Sequence, residues 1–163
     1  MLLSLKQLFE VVGESQPLDF SLDLPDCELG GVKLFPQPVS VKGSVFNRAG
    51  IVTLQATCDM TMHLVCDRCL TEFERKVSLP VSHILVQSTN TDNDEYVVVE
   101  DMTLDLDELL RADILLSLPS KILCKEDCKG LCSVCGADRN KQECHCEEKS
   151  VDPRLEILGD LLK

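Results

Sequence analysis

The fifteen residues VTLQATCDMTMHLVC, positions 52–66, decide the fold. Val52, Leu54, Ala56, Cys58, Met60, Met62, Leu64 and Cys66 occupy one side of a period-two alternation. Thr53, Gln55, Thr57, Asp59, Thr61 and His63 occupy the other. A strand turns successive side chains to opposite faces, so the pattern predicts one long, half-buried strand. Phe73, Val77, Leu79, Val81 and Leu85 read as the returning strand. Pro80 marks an edge or a bulge there, because proline has no N–H for a ladder. Between the two runs stands Cys66-Asp-Arg-Cys69-Leu-Thr71, which places a CxxC pair at the tip of a β-hairpin.

Working outward, Val39, Val41 and Val45 alternate up to a turn at positions 47–50, and Leu18, Phe20, Leu22 and Leu24 alternate before them. Pro25, Gly30, Gly31 and Pro36 punctuate the loop between these runs. Leu5, Leu8, Phe9 and Val12 follow helical spacing up to Gly13. On the other side, positions 88–95 are polar and acidic, and Tyr96–Val99 is a short strand. A helix capped by Asp105 or Thr103 is predicted to run to Leu118, with Leu106, Leu109, Leu110 and Ile114 on its apolar face and Pro119 beyond its end. Asp152-Pro153 reads as the start of a last short helix carrying Leu155, Leu158 and Leu162. The expected fold is α+β: a mostly antiparallel sheet or barrel-like meander, few short helices and a C-terminal zinc-knuckle module. The expected boundaries are a β-rich domain over 1–120, a cysteine-rich module over 121–150 and a terminal helix over 151–163.

At 163 residues the chain has room for one modest core and is too short for a TIM barrel. No apolar run is long enough to span a membrane, and the N-terminus does not read as a secretory signal, so a cytoplasmic location is expected. Aromatics at 4%, with no Trp, argue against a base-stacking platform. The net charge of −12 disfavours binding to bare duplex and suits a basic partner. The charge is uneven. Positions 88–113 hold nine acids and one base, whereas 32–87 hold six bases and four acids.

The ten cysteines carry the chemistry. In a chain without an export signal, clustered thiols read as metal ligands before they read as disulfides. Cys132-Ser-Val-Cys135-Gly136, followed by Cys144-His-Cys146, offers two close pairs of soft ligands with a glycine to permit the tight turn, as a tetrahedral zinc requires. This is the first candidate site. Cys66 and Cys69 with Cys124 and Cys128 could form a second, joining distant segments. Other groupings remain open: Cys124 and Cys128 could share the first metal, leaving the hairpin pair free and reduced. Cys128, Cys132 and Cys135 also spell the cluster-binding triplet of radical SAM enzymes, but that barrel is larger than this chain. A thiol-disulfide oxidoreductase or redox sensor using Cys66 and Cys69 is the enzymatic alternative, against which stands a strand, rather than a helix, after the CxxC. Cys58 is expected in the core, Cys27 in a loop, and His63 and His83 as ordinary solvated or satisfied histidines.

Several of these strings resemble one family. Cys66-Asp-Arg-Cys69-Leu70, Leu109–Pro119, Cys124-Lys-Glu-Asp-Cys128-Lys-Gly-Leu-Cys132-Ser-Val-Cys135-Gly-Ala-Asp-Arg-Asn140, Cys144-x-Cys146 and Asp152-Pro-Arg-Leu are similar to the YceD family, the large ribosomal RNA subunit accumulation proteins. Ser133 and Arg139 depart from the Pro and apolar residue common there, and neither is expected to touch a ligand. The resemblance implies a non-enzymatic factor in synthesis, processing or stability of large-subunit rRNA, whose partner is that rRNA or a basic large-subunit ribosomal protein. It also implies that some relatives keep the hairpin CxxC without the later cysteines.

Overall fold

A computed structural model of the chain describes residues 1–29, 31–88 and 96–146. The expected helix of Leu155, Leu158 and Leu162 lies outside them, as does most of the acidic stretch 88–95. The described chain forms two compact units: Met1–Leu64 with Phe73–Ser120, and Val65–Glu72 with the residues from Lys121 onward.

The first unit is organised by the long alternating strand. It is β6, Ile51–Val65, and every even residue from Val52 to Leu64 is buried. Its neighbours are β5, Val39–Arg48, and β7, Glu72–Val86. β2, Ser15–Leu22, pairs antiparallel with β5, from Ser15 opposite Phe46 to Leu22 opposite Val39. β8, Tyr96–Val98, runs parallel to β7 and pairs with it from Ile84 to Val86. The order is therefore β2-β5-β6-β7-β8, a mixed but mostly antiparallel sheet. It does not close into a barrel. Closure needs long edge strands that can pair, and β8 is only three residues long. Pro80 sits on β7 before Ile84–Val86, the residues that pair with β8.

Short elements complete the unit. β1, Leu2–Ser4, pairs with β9, Thr103–Asp105, and β3, Glu28–Leu29, with β4, Val32–Lys33. Helix α1 spans Lys6–Glu10 and stops short of Val12. Helix α2 spans Leu106–Leu116. Of the two expected caps, Asp105 serves: its carboxylate accepts from the N–H groups of Asp107 and Glu108, while Thr103 lies in β9. Leu106, Leu110 and Ile114 recur every fourth residue and are fully buried.

Two positions fix the sheet and its turn. Gly43 faces Ala56 across β5 and β6, and a Cβ there would lie 2.1 Å from the Gln55 carbonyl oxygen. Asn47 is a buried polar side chain; its amide donates to the Leu8 carbonyl at 2.7 Å, and its Oδ1 accepts from Gly50 N at 3.0 Å. His83 is satisfied, with Nε2 2.8 Å from an Asp113 carboxylate oxygen. Cys58 is a core thiol, and burial, with Asp113 and Asp59 behind it, pushes its pKa up to about 11.

Candidate metal centre

All eight clustered cysteines fall in the second unit. The turn joining β6 to β7 brings the first pair. Cys66 N donates to the Thr71 carbonyl at 3.0 Å, and Leu70 N donates to the Cys66 carbonyl at 2.9 Å. The later CxxC repeats that closure, with Gly136 N on the Cys132 carbonyl at 2.9 Å. Both turns end on a residue with positive φ, Leu70 at 56° and Gly136 at 73°. Glycine takes this conformation freely, whereas a leucine pays about 1–2 kcal/mol for it. Each turn aims its two thiols at one point.

The segment from Lys121 supplies the rest of the hairpin cluster. Asp67 clamps it twice: its N–H donates to the Ile122 carbonyl at 2.8 Å, and its carboxylate accepts from Ile122 N at 2.7 Å. Arg68 donates to the Cys128 carbonyl at 2.8 Å. Cys66 Sγ then lies 3.7 Å from Cys128 Sγ, and Cys69 Sγ 3.6 Å from Cys124 Sγ. All four sulfurs lie within 4.8 Å of one another, as do those of Cys132, Cys135, Cys144 and Cys146. A tetrahedron with metal–sulfur bonds of about 2.3 Å has edges of about 3.8 Å. A disulfide would need about 2.05 Å, and all ten thiols are free. Both donor sets therefore fit a thiophilic ion, and the eight sulfurs lie in two groups of four with no shared cysteine. His145 stands outside both sets. The CxxC at the hairpin tip opens no helix, and its two sulfurs stand 3.7 Å and 3.6 Å from those of Cys128 and Cys124.

The clusters differ in exposure. The hairpin cluster has three buried cysteines and one half-buried; in the knuckle cluster Cys132 is buried, Cys135 exposed and the other two half-buried. Their electrostatics are alike. Burial raises the Cys66 thiol, but N–H groups of Cys124, Cys69 and Arg68 outweigh it and hold the pKa down at about 6. N–H groups of Cys135 and Val134 hold Cys132 at about 6. Cys124, desolvated and beside thiols that ionise first, is pushed up to about 12, and Cys146, crowded by Cys135 and by burial, likewise. Each set thus pairs a thiol held down, Cys66 or Cys132, with one pushed up, Cys124 or Cys146, which ionises when a cation takes the proton's place.

One expectation is corrected. Arg139 does face ligands: the thiols of Cys144 and Cys132 beside its guanidinium raise its pKa. Asn140, next in the chain, donates from Nδ2 to Cys128 Sγ at 3.3 Å. Sequence spacing carries no signal for such outer contacts, since both residues lie between cysteines without being ligands.

The family described as "Large ribosomal RNA subunit accumulation protein YceD" matches residues 54–162, a span that contains all eight of these cysteines. The chain belongs to the YceD family. YlbN of Bacillus subtilis, described as uncharacterized, is 33% identical over 133 residues, which are 77% of this chain and 75% of that relative. An uncharacterized protein of Mycobacterium tuberculosis is 30% identical over 102 residues; the match spans 60% of this chain and only 49% of that relative, about half its length. A chloroplastic YCED homolog 1 of Arabidopsis thaliana, named a large ribosomal RNA subunit accumulation protein, is 33% identical over 58 residues, 36% of this chain and 18% of the homologue. No solved structure matches. Among the described residues, no helix is long and apolar enough to cross a membrane.

Proposed function

We propose that this YceD protein is a non-enzymatic ribosome biogenesis factor that supports synthesis, processing or stability of large-subunit rRNA. The observation that carries the reading is the family match over 54–162, together with the name of the Arabidopsis relative. In this reading zinc holds the cysteine-rich module, with Cys132, Cys135, Cys144 and Cys146 at one site and Cys66, Cys69, Cys124 and Cys128 at the other. Four thiolates of a closed set leave no open position, which suits a structural ion rather than a catalytic one. The protein works in the cytoplasm, where ribosomes are assembled.

The direct partner is a basic large-subunit ribosomal protein. The net charge of −12 and the nine acids against one base in positions 88–113 favour it over bare rRNA. Asp107, Glu108 and Asp101 of that stretch are at least partly exposed. The test is a pull-down of the zinc-loaded protein with purified large-subunit ribosomal proteins and, separately, with rRNA fragments over a salt series. Salt-sensitive capture of one basic protein is expected. Tight, sequence-selective binding to bare rRNA would transfer the contact to the nucleic acid, and binding to neither would end the assembly reading.

A further inference from the structure

We propose that the dipeptide Arg139-Asn140 couples the two thiolate clusters, so that a metal ion in one raises the affinity of the other. The inference rests on the metal reading above. Arg139 and Asn140 lie in the loop between Cys135 and Cys144, whose two ends both carry ligands of the knuckle cluster. Arg139 addresses that cluster through Cys132 and Cys144. Asn140 reaches the other cluster, and its amide is satisfied on both sides. Nδ2 donates to Cys128 Sγ at 3.3 Å and to Asp138 Oδ1 at 2.9 Å, while Oδ1 accepts from Lys129 N at 2.9 Å.

The backbone between the clusters is equally tied. Arg139 N donates to the Gly130 carbonyl at 3.0 Å, and Leu131 N to the Arg68 carbonyl at 3.0 Å. Gly130, at φ 72°, sits so close to Arg68 that a Cβ would come within 3.0 Å of its carbonyl oxygen. Little slack is left: a loop released by an empty knuckle cluster withdraws the N–H donor from the Cys128 sulfur. A hydrogen bond to a metal-bound sulfur orients it and stabilises its negative charge, and loss of such an outer partner costs about 10- to 100-fold in metal affinity. Two tetrathiolate centres would each keep net negative charge and repel; Arg68 beside one and Arg139 beside the other offset this. Binding coupling is reciprocal, so each ion assists the other by the same factor.

The experiment is a cobalt(II) titration of the reduced full chain, followed by thiolate-to-metal absorption and by competition with a chromophoric chelator. The proteins are wild type, Asn140→Ala, Asn140→Asp, and Cys144→Ser/Cys146→Ser, which disables the knuckle cluster without touching a hairpin ligand. The wild type is expected to take two ions in one concerted step. Disabling the knuckle cluster weakens the hairpin site about 10-fold or more. Asn140→Ala produces a similar loss in the intact protein and little further loss in the disabled one. Asn140→Asp keeps the acceptor for Lys129 N but puts a carboxylate in place of the amide donor, beside Cys128 and Asp138, so a loss at least as large as that of Asn140→Ala is expected there, and a hairpin affinity that Asp leaves unchanged overturns the role given to the bond on sulfur. Two ions bound independently, with hairpin affinity unchanged in every variant, overturn the coupling and leave the metal reading standing. No cobalt bound by the wild type overturns both.

Discussion

Stripping the metal should unfold the second unit and spare the first. Among the described residues of the second unit, the only buried apolar side chain that is not a cysteine is Ile122. Burying one isoleucine stabilises by about 1.5–3 kcal/mol. Ordering the turn Val65–Glu72 alone costs roughly 8–16 kcal/mol, at about 1–2 kcal/mol per residue. Side-chain burial therefore cannot hold the unit, whereas one structural zinc contributes about 10–16 kcal/mol in small zinc domains at neutral pH. The first unit has its own core in Leu54, Leu85, Leu106, Leu110 and Ile114. The assay is amide hydrogen exchange read by mass spectrometry, with and without a strong chelator in reducing buffer. Peptides covering 65–72 and 121–146 should lose protection when the metal leaves and regain it when zinc, but not magnesium, is restored. Peptides of β5, β6 and α2 should stay protected. Undiminished protection around the cysteines after complete metal removal would refute the reasoning, because some other source of order would then be at work.

Gly43→Ala should destabilise the first unit by about 3 kcal/mol, the upper end for overpacking, because the new Cβ meets backbone rather than a yielding side chain; urea unfolding followed by circular dichroism measures it, and an unchanged midpoint would show that β5 can move away. Acid should release the metal. The Cys66 and Cys132 pKa values are depressed to about 6, so the stabilisation from their thiolates is fully present above the ordinary thiol value of 9.0 and lost as pH falls through about 6. A zinc indicator between pH 8 and 4.5 reads this, and full retention at pH 4.5 would contradict it. Cys58, buried and held near 11, should resist alkylation at pH 8 in the native protein and react in urea, as quantified by peptide mapping; rapid native labelling would show that the core opens.

The fold was legible where one physical rule acted over many residues. The alternation from Val52 to Leu64 needs no partner to be recognised, and the acidic cap at Asp105 is a local hydrogen-bonding fact. The parallel pairing of β8 and the β1–β9 pair were not legible, because three-residue strands carry no period and owe their existence to distant partners. The barrel alternative failed for the same reason: closure depends on strand ends that meet, which alternation does not encode. The cysteine sets were legible as pairs from their spacing, but their grouping into two fours needed the Asp67–Ile122 clamp. Leu70 concealed the likeness of the two turns, since the sequence marks such a conformation only when glycine occupies it. Arg139 and Asn140 carried no mark at all; a contact to a ligand's sulfur is a property of three-dimensional proximity.

The unit that holds both clusters is assembled from two stretches of chain with Phe73–Ser120 between them. Translation runs from the amino end, so Cys66 and Cys69 emerge well before Cys124 and Cys128 have been made. Throughout that interval the β6–β7 strands can zip while their tip carries half a coordination shell, two thiols with nothing to complete it. On the proposed metal reading, cation capture at this place is a late event of biosynthesis, and any oxidant or competing ion met in the meantime finds the pair undefended.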